Sequence, residues 1–135
     1  MAIQLSVAVR NARLDAIETI IGATAILRLR TGAPPATCAT ADSGTIVGTL
    51  TLPADYLAAA GSGTKAKSGT WQETSADAAG TVGHFRLYDS AGTTCGMQGT
   101  VTITGGGGDM TLDNNVVTLA QVITITGFTL TDGNA

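Results

Sequence analysis

Charge is the scarcest commodity in this chain of 135 residues: Asp, Glu, Lys and Arg together make up 13%, about half of the ~25% usual in a globular domain. Seven unclustered basic residues leave no electropositive stripe of the kind that grips nucleic acid. Aromatics are scarcer still at 4%, barely enough for one core. Tyr56, Trp71, Phe85, Tyr88 and Phe128 are therefore assigned to packing rather than to a stacking surface for sugars. His84 is the only imidazole available for acid–base work, no G-x-S-x-G nucleophile motif accompanies it, and it reads as a surface residue on a strand. The two cysteines, Cys38 and Cys95, lack the further Cys or nearby His that would complete four metal ligands. They leave two readings open, a pair of buried free thiols or one disulfide between a loop and a strand. No apolar run approaches the ~20 residues needed to span a bilayer. The first residues lack a basic segment followed by an apolar one, so no signal peptide is expected.

Carboxylates are also thin on the ground for catalysis. Glu18 and Glu73 are the only glutamates, and Glu18 falls on a helix. Asp77 or Asp89 could partner Glu73, but no motif pairs them as acid and base. The run GGGGDMTLD, with Asp109 and Asp113, faintly resembles a calcium-binding glycine–aspartate repeat, but a single copy out of register does not stack into such a site. Nor does it open a helix, as a phosphate-binding loop must. No catalytic residue, no metal ligand, no cofactor and no small-molecule substrate is assigned.

What is plentiful is Gly, with 18 residues, together with Thr alternating with Val, Ile and Leu. That period-2 pattern is the mark of strands with one buried face. Strands are expected over 25–30, 45–52, 69–74, 81–88, 95–104, 110–112, 116–119 and 121–131. On the strand 45–52, Ile46, Leu50 and Leu52 point inward. A turn at 89–92 makes a hairpin of 81–88 and 95–104. Cys95 shares parity with Met97, Val101 and Ile103 and is expected to face the core with them. Parity switches between Ile125 and Phe128, which predicts a bulge or bend at Gly127. Residues 54–60 are read as one helical turn, 61–68 as loose, and 105–108 as a flexible hairpin loop.

One helix stands apart. Ser6 is a suitable N-cap and Gly22 a suitable C′ residue, and Val7, Leu14, Ile17 and Ile21 recur at helical spacing with Ala16 and Ile20 beside them. Arg10, Arg13 and Glu18 fall on the other side. Residues 1–30 carry a balance of +2 and the remainder −5. The cations Arg10, Arg13, Arg28 and Arg30, with Glu18, are therefore the candidate partner-facing residues. The expected architecture is all-β: an antiparallel β-sandwich or jelly roll over 25–135, with an N-terminal helical segment over 1–24, in one domain.

Several phrases together resemble a known group. The opening Leu5-Ser6 with Arg10-Asn11-Ala12-Arg13-Leu14-Asp15-Ala16-Ile17, the strand and Gly-x-Pro-Pro block over 27–35, the segment TSADAAGTVGHFRLYDSAGTTCGMQGTV over 74–101 and the ending ITGFTLTDGNA are similar to small virion structural proteins of tailed bacteriophages. The similarity runs over nearly the whole chain. It implies a non-enzymatic part of a phage particle, made in the host cytoplasm and carried in the virion. Its partners would be the major capsid protein and copies of itself, with no role for nucleic acid or membrane. A capsid decoration or cement protein is the first expectation. A tail, collar or fibre component involved in assembly or host attachment is the second.

Overall fold

The computed structural model describes residues 3–134. Its one helix, α1 (Val7–Ile21), begins as the sequence dictates: Ser6 is extended and its hydroxyl accepts from the Val9 N–H at 3.2 Å. It ends at Gly22, whose φ of 90° suits a residue without Cβ. The strands are β1 (Ile26–Thr31), β2 (Ile46–Thr51), β3 (Thr64–Ala66), β4 (Gln72–Glu73), β5 (Gly80–Tyr88), β6 (Cys95–Ile103), β7 (Met110–Leu112), β8 (Val116–Val117) and β9 (Ile123–Thr131).

The fold is mostly β. Along one sheet the strands run β2-β1-β5-β6-β7-β9-β3, with β4 also on β9 and β8 on β5. The pairing is mixed rather than purely antiparallel, because β6 and β7 lie parallel. Residues 105–108 are therefore not a hairpin loop. They reverse the chain so that Met110 comes to lie beside Val101. Parallel neighbours ordinarily need a long crossover. Here the paired stretch is three residues long, and a glycine run with φ near +80° at Gly105 and Gly107 turns the chain within a few residues.

The sheet curls until β2 meets β4 and the segment that follows it. Thr49 N–H donates to Glu73 Oε2 at 2.9 Å, and Asp77 N–H donates to Val47 O at 2.8 Å. Inside lies a core built on an aromatic chain. Trp71 stands 5.5 Å from Phe128 and 6.2 Å from Tyr56, and Phe128 meets Phe85 edge-on at 5.6 Å. Leu27, Leu29, Val47, Val82, Leu112 and Ile123 fill the space around them with no exposed surface. At roughly 25 cal/mol per Å² of apolar surface, such side chains contribute the main folding drive.

Two expectations about connecting segments fail, for one reason. Residues 54–60 form no helical turn, and 61–68 are not loose. The first segment bridges the second at Leu57 and Lys67, with Ala58 N–H bonded to Ala66 O at 2.8 Å, and β3 pairs with β9. Both are fastened under α1 by Lys65, described below.

Strand register holds the other surprises. An extra residue on one strand shifts the pairing at Val47, Gly83, Gly96 and Thr126. Each such bulge inverts the inside–outside alternation beyond it. The one next to Gly127 is the bend expected from sequence. The one at Val47 turns Val47 into the core and leaves Ile46 only half-buried. The one at Gly96 turns Cys95 away from the core face. Cys95 lies opposite Tyr88, Met97 opposite Leu87.

Candidate functional site

Most of the chain's charged side chains gather at two places, each where a segment without regular structure or a helix is pinned to the sheet. The first is the second face of β1, β5 and β6. On these strands Leu27, Leu29, Phe85 and Leu87 point into the core, and Arg28, Arg30, His84, Arg86 and Tyr88 point out. A free outer face would leave these polar residues in water. Instead residues 32–45 fold back over it. Their neck is tied by Thr31 N–H to Thr45 O at 3.1 Å and by Thr45 N–H to Thr31 Oγ1 at 2.9 Å.

Arg86 is the centre of this layer, 1% exposed. Its Nη1 donates to Asp42 Oδ1 and to Thr40 O (3.0 Å), its Nη2 to Cys38 O (2.6 Å) and its Nε to Cys95 Sγ (3.3 Å). Arg30 donates to the other Asp42 oxygen at 2.6 Å, and Tyr88 OH donates to Asp42 Oδ1 at 2.6 Å. Burial pushes the Asp42 carboxyl up, but the Tyr88 hydroxyl and the two guanidinium groups outweigh it and hold it below the usual carboxylate range. Arg86 shifts up. Burial alone would lower it, but the hydrogen bond to Cys95 and the Asp42 charge prevail. Arg28 lies over the Tyr88 ring at 4.6 Å. Gln98 Nε2 reaches Pro35 O at 2.5 Å.

His84 belongs to the same layer and is not at the surface: it is fully buried. Its Nδ1 is 2.9 Å from Gly32 O, and a carbonyl can only accept, so Nδ1 carries the proton. Its Nε2 has no hydrogen-bond partner among the described residues. The loop that covers it is what sequence reading missed, since a coil rich in small residues carries no burial signal of its own.

The second gathering point holds α1 to the sheet. Lys65 on β3 is 3% exposed, and its Nζ lies 2.7 Å from Asp15 Oδ1, 3.2 Å from Glu18 Oε2 and 2.8 Å from Ala58 O. Burial would lower its pKa, but the two carboxylates raise it. Asp15 is lowered in turn, first by its hydrogen bond to Lys65 and then by Ala60 N–H. Glu18 Oε1 also accepts from Leu57 N–H at 3.2 Å. At the other end of the helix, Arg10 Nη1 donates to Asp132 O at 3.0 Å, and Arg13 pairs with Asp132 at 3.3 Å.

The candidate partner-facing residues thus separate. Arg10 and Glu18 turn inward and bind this chain's own backbone and Lys65. Arg30 is buried under the loop, and Arg28 rests on Tyr88. Arg13 alone of the five keeps a largely open side chain, 60% exposed. The helix faces are correspondingly reversed from expectation at Ile20, which is 83% exposed, whereas Leu14 and Ile21 are buried. Val9, Arg13, Ala16 and Ile20 follow the i, i+4, i+7, i+11 spacing of a single stripe along the outside of the helix. That stripe is open to solvent.

Four further acidic residues, Glu73, Asp77, Asp109 and Asp113, are engaged in holding strands. Glu73 and Asp77 close β2 through Thr49. Asp109 accepts from Thr100 N–H and Oγ1, both at 2.8 Å, and its pKa falls for that reason. Asp113 accepts from Thr124 N–H at 3.0 Å. Among the described residues no group of three or more His, Cys, Asp and Glu is placed to hold a metal ion. No helix among them is long and apolar enough to cross a membrane. Cys38 and Cys95 are free cysteines, each half-buried, and both lie against Arg86, Cys95 through its sulfur and Cys38 through its carbonyl. Comparison with family models, with curated proteins and with solved structures finds no match to the chain.

Proposed function

We propose that this chain is a structural protein of a tailed-bacteriophage particle, a capsid decoration or cement protein that bridges major capsid subunits and stabilises the head. The observation that carries the reading is the outer stripe of α1. Val9 and Ile20 are 47% and 83% exposed, they flank Arg13, and nothing among the described residues covers them. A lone exposed apolar residue needs no explanation, but a stripe of them beside a largely exposed cation is what a subunit contact uses. The resemblance of the sequence to small phage virion proteins points the same way.

The division of labour within the fold supports this reading. Charged residues pin the loop and the helix to the sheet, which makes a rigid block with its mobile parts tied down. A rigid block loses little conformational entropy on docking, so weak contacts repeated over many copies hold a shell. In this reading the curled sheet serves as the sandwich-like or jelly-roll-like body, and α1 is the foot that meets the capsid.

Cryo-electron microscopy of the phage particle tests it. Expected is density for this chain repeated over the capsid lattice, with the outer stripe of α1 against the shell. Density confined to the tail or the portal vertex, or absence of the chain from purified particles, overturns the assignment to the head.

A further inference from the structure

We propose that Cys38 and Cys95 form a reversible disulfide that fastens the loop 32–45 to β6 when the chain meets an oxidising environment. Two features of the fold converge on this pair. First, the bulge at Gly96 rotates Cys95 out of the core alternation and onto the Arg86 face. In regular register its sulfur would point the same way as Met97, away from the loop. Second, Arg86 presents one edge of its guanidinium to both residues: Nε donates to Cys95 Sγ at 3.3 Å and Nη2 to Cys38 O at 2.6 Å. Those two nitrogens share one carbon, so the fork holds the strand cysteine and the loop cysteine side by side.

Both thiols are half-buried rather than sealed, so a small oxidant can reach them. The chemistry balances with an external low-molecular-weight disulfide. One cysteine, as thiolate, attacks a sulfur of that disulfide and expels a thiolate. The second cysteine gives up its proton and attacks the protein sulfur of the mixed disulfide, expelling the other half. Two S–H bonds are lost, one S–S bond forms, and the external disulfide is reduced to two thiols. Burial pushes the Cys38 thiol up to about 11, and the neighbouring Cys95 pushes the same way. Cys38 therefore keeps its proton at neutral pH, and ring closure quickens as the medium becomes alkaline.

The bond changes what holds the loop. With free thiols, residues 32–45 stay down through Arg30, Arg86, Tyr88, His84 and Gln98. With the bond, the middle of the loop is tied covalently to a central strand, and the denatured chain is constrained between residues 38 and 95. In a reducing cytosol the pair stays open, and on release from it the pair closes.

The full chain, incubated with oxidised glutathione at mildly alkaline pH and alkylated, gives the answer by peptide mass spectrometry. Expected are a Cys38–Cys95 cross-linked peptide, loss of two hydrogens from the intact mass, a monomer on non-reducing electrophoresis and reversal by a dithiol. Two alkylated cysteines, stable glutathione adducts on both, or disulfide-linked dimers would falsify the pairing. The oxidised chain should melt about 10 °C higher, and amide exchange should slow within 33–44. The variant Cys38→Ala/Cys95→Ala should show no response to oxidant. A bond that forms while melting and loop exchange stay unchanged overturns its fastening role, and that comparison of oxidised with reduced wild type stands even where the variant does not fold.

Discussion

Arg86 shows how much one side chain can settle. It stands mid-strand with polar neighbours two residues either side, which reads as a solvated face. In the fold it is among the most buried groups, and four acceptors drawn from the loop and from β6 surround its guanidinium. Arg86→Leu fills much of the volume but leaves the Cys38 and Thr40 carbonyls without their donor and Asp42 with one cation instead of two. We expect it to lose about 3 kcal/mol, the scale for breaking a buried ion pair from one side. Urea unfolding should show this as a lower midpoint with an unchanged slope. Arg86→Lys should recover little, because a single ammonium cannot fork between Asp42 and the cysteines. Arg13→Ala, which removes a 60% exposed partner of Asp132, should stay within about 0.5 kcal/mol of the parent. A loss from Arg86→Leu no larger than that of Arg13→Ala would mean that the polar layer is not what holds the loop.

At the scale of elements, the parts read well from sequence are those whose signal is local. Ser6 and Gly22 bracket α1 because capping involves only a turn of chain. The bend beside Gly127 was legible because apolar markers stand on both sides of it. The bulges at Val47 and Gly96 were not, since the partner strand imposes them and each reverses the parity of residues that otherwise alternate cleanly. The strand β3 was hidden for a related reason. Its central residue is a lysine, and only the helix passing over it, bearing Asp15 and Glu18, makes a buried lysine tolerable. That dependence gives a prediction. Lys65→Met keeps the apolar stem and removes the ammonium, which leaves Glu18, 18% exposed, without its cation. Amides of α1 should then exchange with deuterium roughly ten- to a hundredfold faster, as suits the loss of a charged hydrogen bond. Amides of β5 should keep their protection. An equal acceleration in both would show that helix and sheet open only together.

Across the whole molecule these pinned charges fix how stability responds to pH. On the acid side, Asp15, Asp42, Asp89 and Asp109 all have lowered pKa values in the fold. A lowered carboxylate contributes stability that is present above its unfolded value, about 3.9, and is lost as pH falls through the folded one. The melting temperature should therefore drop once pH passes below about 4. On the alkaline side the sign reverses. Lys65 is raised by its two carboxylates, Cys38 to about 11 and Tyr56 to about 12 by burial. Each raised group contributes stability that is full below its unfolded pKa and disappears as pH climbs through the folded value. Unfolded cysteine titrates near 8.5, ahead of tyrosine and lysine near 10. In a reductant the alkaline decline should thus begin with Cys38, at about pH 8.5, well before the ion pairs under α1 give way. Oxidation removes that thiol, so the cross-linked chain should hold its plateau to about pH 10. Scanning calorimetry of the reduced and oxidised forms across this range measures the difference. Coincident alkaline limbs would mean that Cys38 titrates alike in folded and unfolded chains, and that burial beside Arg86 leaves its proton unaffected.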